Sequence, residues 1–316
     1  MIKPGSMSFI LLWLLLASAL LADEVEDSIA AKVDDLFMKA SSGEVQFRDL
    51  VEPAKKELIE MGEKAVPRMI TKLKTEDARE RHTIEDIFKG IGDPAVPYLI
   101  DALDTDNLYQ LRLACNCLGK TGNAKAIPSV LKLFSHNEHT VRSVAATAVG
   151  DIGDTTAVGE VISMLADMAE TVRKSAAVSL GKIGHESAIG ALIESLDDPH
   201  FSVRYSAAGS LAKIGDESGE ALLEQRDSLS SMALYYAVDV WAALKYKDAF
   251  KILKNYLKSD DNRLKGFTII ALARIDPKKS GKIVSKRIKD ENDTFVRSCL
   301  EKANRIILDL EAENGN

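Results

Sequence analysis

Val141-Arg142-Ser143-Val144-Ala145-Ala146-Thr147-Ala148-Val149-Gly150-Asp151-Ile152-Gly153-Asp154 is the stretch on which the reading of this fold turns. It returns from Val172 to His185 as Val-Arg-Lys-Ser-Ala-Ala-Val-Ser-Leu-Gly-Lys-Ile-Gly-His. It returns again from Val203 to Asp216 as Val-Arg-Tyr-Ser-Ala-Ala-Gly-Ser-Leu-Ala-Lys-Ile-Gly-Asp. The three starts lie 31 residues apart. A phrase repeated at such a step marks stacked copies of one small unit that cannot bury its apolar face alone. The closing glycine can be followed through Gly62, Gly92, Gly122, Gly153, Gly184 and Gly215.

Each unit reads as two helices. The first resembles the run from Ala126 to Phe134, and Pro67, Pro97 and Pro128 fall in its first turn, where a missing N–H costs little. The second helix is the Val-Arg-Ala-Ala phrase. Asp104, Asp106, Asp197, Asp198 and Pro199 stand in joining turns as turn-formers and helix N-caps. The closing glycine suits a left-handed residue at a helix C-terminus. After Gly215 the glycines fade and the spacing slips. Ile275-Asp276-Pro277 restores the register, and Phe295-Val296-Arg297 opens a last second helix that should end near Leu310. The expected architecture is all-α: a solenoid of about eight helix pairs over residues 61–308. It follows an N-terminal helical cap, residues 23–60, and precedes a frayed tail, residues 309–316. Apolar Val25, Ile29, Val33, Leu36 and Phe37 form one helical stripe in that cap.

Residues 1–22 read as a signal peptide. Lys3 precedes an apolar run from Phe9 to Ala22, and Asp23-Glu24 follows. The run is shorter than the ~20 residues that span a bilayer. Cleavage fits after Ala19 or after Ala22, so the mature chain is expected outside the cytoplasm, periplasmic or secreted, with no stable membrane span. The 316 residues carry a net charge of −7, and aromatic residues make up 6%. That balance gives no broad basic footprint and few stacking platforms, so no nucleic-acid partner is expected. Cys115 and Cys117 replace small core positions of the repeat and read as small buried residues; Cys299 lies in another helix, and the three have no metal-ligand spacing.

These repeats resemble a known family, the HEAT-like repeats of the kind named after phycobilin lyases. The likeness is strongest from Gly122 to Gly215. It implies an α-solenoid and leaves activity open, because the family includes enzymes, adaptors and many proteins of unknown role. One enzyme of the family, deoxyhypusine hydroxylase, holds a di-iron site with His-Glu pairs at the start of its second helices. The matching positions here are His82-Thr83, Ser143-Val144, Lys174-Ser175 and Tyr205-Ser206, which do not supply that set. His136 and His139 fall together in a turn with no third ligand indicated. No GxSxG, GxxxxGK[ST] or HExxH motif is present. No catalytic residue, metal ligand or cofactor is therefore assigned.

Two rows of charge remain. Arg81, Arg142, Arg173 and Arg204 share one repeat position and form a structural ladder, with Asp167, Asp197, Asp198 and Asp227 as candidate partners. The third unit places Leu111 there and Arg112 beside it. Lys120, Asp151, Lys182, Lys213 and Arg274 share a second position, in the last turn of the second helix. That row either docks an acidic partner or only complements helix dipoles. The candidate partner-binding residues are Lys120, Lys174, Lys182, Tyr205 and Lys213. The function expected is a non-catalytic scaffold for a protein or peptide of unknown identity. The alternatives are a self-associating envelope protein, with Trp241, Tyr235 and Tyr236 exposed, and an enzyme of the lyase or hydroxylase type.

Overall fold

The computed structural model describes residues 24–314, with side chains to residue 309. The expected signal peptide, residues 1–22, lies outside the described residues. Among the described residues there is no strand. They form two compact units, one ending at Leu133 and one beginning at Phe134.

The first unit holds α1 (24–41), α2 (Val51–Met61), α3 (Val66–Ile70), α4 (Ala78–Ile91), α5 (Val96–Asp101), α6 (Leu108–Thr121) and α7 (Ile127–Leu131). The second unit starts with α8 (His139–Ile152), α9 (Val158–Ser163), α10 (Glu170–Ile183), α11 (Ile189–Glu194) and α12 (Phe201–Ile214). It continues with α13 (Asp216–Gln225), α14 (Ser231–Leu244), α15 (Phe250–Tyr256), α16 (Asn262–Ile275), α17 (Pro277–Asp290) and α18 (Thr294–Asn314). In chain order the described residues hold eight helix pairs, from α3/α4 to α17/α18. The fold is an α-solenoid. Helix α18 passes the expected end near Leu310 and runs to Asn314.

Local chemistry explains the punctuation. Pro67, Pro97 and Pro128 stand in the first turns of α3, α5 and α7. Asp77, Asn107, Ser230 and Asp261 cap α4, α6, α14 and α16 by accepting from backbone N–H groups. Asn107 therefore takes the place expected of Asp104 or Asp106. Before α12, Asp198 accepts instead from the His200 amide at 2.8 Å. Gly153 and Gly184 close α8 and α10 at φ 76° and 72°. After α14 the left-handed position falls to Lys245, at φ 52°.

In the first unit α1 buries Val33, Leu36 and Phe37, and the core continues through Leu58, Met69 and Ile87. Asp34 on α1 binds Arg68 and Lys72. The Arg68 hydrogen bond draws its carboxyl from 3.8 down to about 2. Cys115 and Cys117 are fully buried, and burial pushes the Cys115 thiol up to about 12.

In the second unit the early second helices meet through small residues. Ala145, Ala146, Ala176, Ala177 and Ala207 are fully buried. A Cβ on Gly150 would stand 2.5 Å from Ser179, and one on Gly181 would stand 2.5 Å from the Ser210 Cβ. The seam is too tight for any side chain there. Ser179 and Ser210 donate to the Ala146 and Ala177 carbonyls at 2.8 and 2.7 Å, so the polar atoms in it are satisfied. Trp241 is expected exposed and is instead fully buried, with Nε1 donating to the Gly219 carbonyl at 2.9 Å. It holds the register position of Leu180 and Leu211, so the sequence pattern marks it as a core residue of unusual size.

Candidate protein-interaction site

The arginine ladder is a structural interlock in the second unit. Arg142 forms a two-point bridge to Asp167, with Nε at 2.7 Å and Nη2 at 2.8 Å. Arg173 does the same with Asp198 at 2.6 and 3.1 Å. Each of these aspartates also offers its backbone carbonyl to the next arginine: Asp167 to Arg173 at 2.8 Å and Asp198 to Arg204 at 2.6 Å. One residue type at one turn thus joins consecutive units. The Arg142 hydrogen bond holds the Asp167 carboxyl below the usual carboxylate range. Burial pushes Asp198 up, but Arg173 and the His200 amide outweigh it and leave the carboxyl lowered.

The other two candidate aspartates are not ladder partners. Asp197 accepts from Ser230, and Asp227 pairs with its neighbour Arg226. The ladder ends at Arg204, because Ser228 falls where Asp167 and Asp198 stand in the earlier units. Arg204 turns to Tyr236 instead, with Nε 3.4 Å from its hydroxyl and the guanidinium 5.8 Å from its ring centre. In the first unit Arg81 binds the Glu76 carbonyl. Leu111 is buried in its ladder place, while Arg112 lies over the Tyr109 ring.

The second row does not act as one strip. Lys120 stands in the last turn of α6, close enough to Cys117 for its charge to act on that thiol. Lys182 is tied to Asp151 at 2.5 Å, which neutralises that part of the row. Lys174 is exposed on α10 and lies apart from the cavity that holds Tyr205. Lys213 and Arg274 differ: both line a cavity, together with Tyr205.

That cavity is the main feature of the second unit. A hollow of about 670 Å³ lies over α12, α14 and α16, and a second of about 700 Å³ adjoins it towards the start of α18. They share Tyr205, Tyr236, Asp239 and Phe267, so they are two lobes of one groove. Tyr205 and Phe201 stack at 5.8 Å and are 67% and 64% exposed, which leaves most of their surface for a partner. Phe267 meets Tyr235 and Phe295 edge to face at 5.6 and 6.1 Å. Gly266 makes that wall possible, since a Cβ there would stand 2.5 Å from the Phe295 ring. Between α12 and α14, Ala212 and Val240 replace the Gly-Ser pair of the earlier seams and line the groove.

Charge within the groove is uneven. Asp239 lies on its floor, exposed to water yet ringed by protein, and that crowding raises its pKa. Arg274 and Lys302 oppose the rise. Of the residues singled out from sequence, the groove gathers Tyr205, Lys213, Tyr235, Tyr236 and Arg274. It adds Phe201, Met232, Asp239, Phe267, Phe295 and Lys302. Their signal is legible in part: Tyr236 and Phe267 follow Ser206 in register, where earlier units carry Val144 and Ser175. Among the described residues no group of three or more His, Cys, Asp or Glu is placed to hold a metal ion, and no helix is long and apolar enough to cross a membrane.

Comparison with known proteins agrees with this geometry. A family of HEAT repeats matches residues 96–167 and 158–231. No curated protein sequence matches the chain. Among solved structures, a chain of the Kap95:Nup1 complex is similar at TM-score 0.56 and 12% identity, over 86% of this chain and 46% of that one. YibA of Escherichia coli is similar at TM-score 0.50 and 17% identity, over 80% and 96%. The CpcE–CpcF phycocyanin lyase of Nostoc matches at TM-score 0.39 and 19% identity, over 76% and 94%. Identities this low are likenesses of fold alone.

Proposed function

We propose that this HEAT-repeat chain is a non-catalytic protein-interaction scaffold that works outside the cytoplasm. One observation carries the reading: an open aromatic groove runs across α12, α14, α16 and α18, next to the α8–α10 and α10–α12 seams that small residues close. Exposed aromatic clusters of this kind are what binding surfaces use as anchors. Stacked repeats supply the extended surface, and a chain similar to this one in fold is found in a complex of two proteins, Kap95:Nup1. Export rests on the apolar run and small residues of positions 9–22. The partner contacts are Tyr205 and Lys213 within the groove. Lys174, Lys182 and Lys120 serve only if the partner extends beyond it.

The test is site-specific photocrosslinking in the native organism. A photoreactive residue replaces Tyr205 in one strain and exposed Glu160 on α9 in another. One dominant adduct from position 205, absent from position 160, supports the scaffold. Adducts only with further copies of the chain would favour self-association. Fractionation and N-terminal sequencing of the same protein check export and tell cleavage after Ala19 from cleavage after Ala22. An intact N-terminus in the cytoplasmic fraction would remove that part.

A further inference from the structure

We infer that the groove takes an extended polypeptide segment carrying acidic residues next to bulky apolar ones, with its carboxylates towards Lys213, Arg274 and Lys302. The inference rests on the scaffold reading and specifies the partner's chemistry.

Charge complementarity decides the sign. Lys213, Arg274 and Lys302 converge on one lobe, and among the described residues none of the three donates a hydrogen bond or forms an ion pair. Asp239 is the one carboxylate beside them. In the other lobe Arg263 stands near Asp293, but Asp293 is already occupied by Asn262 at 2.7 Å and the Val296 amide at 2.9 Å. The groove therefore carries an excess of cations on a chain whose net charge is −7. Such a local reversal attracts an anionic partner and orients it.

Shape decides the class. Two lobes in line, open to water and floored by helix faces, suit an extended segment better than a small molecule, which needs a pocket that encloses most of its surface. Phe201, Met232 and Phe295 are 64%, 39% and 42% exposed around the second lobe, so bulky apolar side chains are received there. Asp239 between the lobes is placed to accept from a backbone N–H of the segment. That central carboxylate also disfavours a nucleic-acid strand, whose phosphates would have to pass it.

The test is selection of a random 12-residue peptide library on the protein purified from cells expressing the full sequence. Binding of the selected peptides is then measured to the native chain, to R274E/K302E and to Y205A. All three substituted residues are exposed, so the variants keep the fold. The expected result is enrichment of Asp or Glu beside Trp, Phe or Leu. Affinity should fall at least about tenfold in R274E/K302E and at least about fivefold in Y205A, and it should weaken as salt rises. Enriched peptides that are basic or uncharged, or that ignore R274E/K302E, overturn the acidic assignment while leaving the scaffold reading intact. No enrichment above background overturns both. Displacement of selected peptides by a dodecamer of thymidylate at equal concentration overturns the polypeptide assignment in favour of nucleic acid.

Discussion

Two stretches of the second unit, residues 139–214 and residues 215–309, use the same helix pairs to opposite ends. In the first, Gly150, Ser179, Gly181 and Ser210 close the second helices onto one another, and Arg142, Asp167, Arg173 and Asp198 bolt their turns together. Where the second begins, the glycine-serine seam gives way to Ala212 against Val240, the ladder ends on Tyr236, and the register positions of Ser206 become aromatic at Tyr236 and Phe267. The difference teaches that a repeat array can keep its regularity where it needs stiffness and abandon it where it needs a surface. Arg204 stands at the junction. It holds the last ladder carbonyls with one edge and steadies a groove tyrosine with the other.

The contrast can be broken at several points. The largest effect is expected at Trp241, where the irregular stretch keeps its core. Trp241→Ala empties a fully buried site and removes the indole hydrogen bond to the Gly219 carbonyl, at a cost of about 3–5 kcal/mol in denaturant unfolding. A loss under about 1 kcal/mol would mean the stretch has no cooperative core of its own.

Next comes the ladder. Arg173→Ala leaves a nearly buried Asp198 without its cation and should cost about 2–3 kcal/mol. Arg204→Ala breaks only carbonyl and tyrosine contacts and should cost about 1 kcal/mol. Equal losses would erase the distinction between interlock and junction. The two aspartates carry a pH signature as well. Their folded pKa values are lowered, so their contribution is complete at neutral pH and is lost as acid takes them through those lowered values. The native chain should lose stability between about pH 5 and pH 2, and D167N/D198N should show a shallower slope.

The seam gives a smaller and sharper comparison. Gly181→Val drives a side chain into Ser210 and should cost about 1–3 kcal/mol by thermal unfolding. Ala212→Val, at the same register on the open side, has the groove to expand into and should change stability by under about 1 kcal/mol. Matching costs would show that the groove side is packed as tightly as the seam.

The smallest stability effect belongs to the binding residues. Tyr205→Ala and Lys174→Ala should each shift stability by less than about 0.5 kcal/mol. Only Tyr205→Ala should weaken partner capture, because only Tyr205 lines the groove. Loss of capture from Lys174→Ala alone would move the site away from it.

Much of this is legible in the sequence, for identifiable reasons. The 31-residue step, the prolines in first turns and the glycines at helix ends act through backbone geometry, which is local. Tyr205 stands out because a large ring replaces the small Ser143 of an earlier unit at a position the repeat does not need for packing. The sequence shows the lysine row broken at Asp151 but not the consequence, since a repeat position gives no account of what stands across from it: Asp151 captures Lys182, while Lys213 and Arg274 form no such ion pair. Trp241, Tyr235 and Tyr236 group together as exposed aromatics by composition, yet one is core and two are groove walls. The separating signal is register, with Trp241 aligned to Leu180 and Leu211.

The sequence by itself determined that the chain is built of about eight helix pairs and which arginines recur at one repeat position, because periodicity, caps and turn residues act over a few neighbouring positions. Tertiary structure alone decided which aspartates complete the ladder and that residues from Phe201 to Lys302 share one groove. Those outcomes depend on how closely successive helices approach. That distance is set by pairs about 30 residues apart, such as Gly181 with Ser210 and Ala212 with Val240, whose fit shows only when the two side chains face each other.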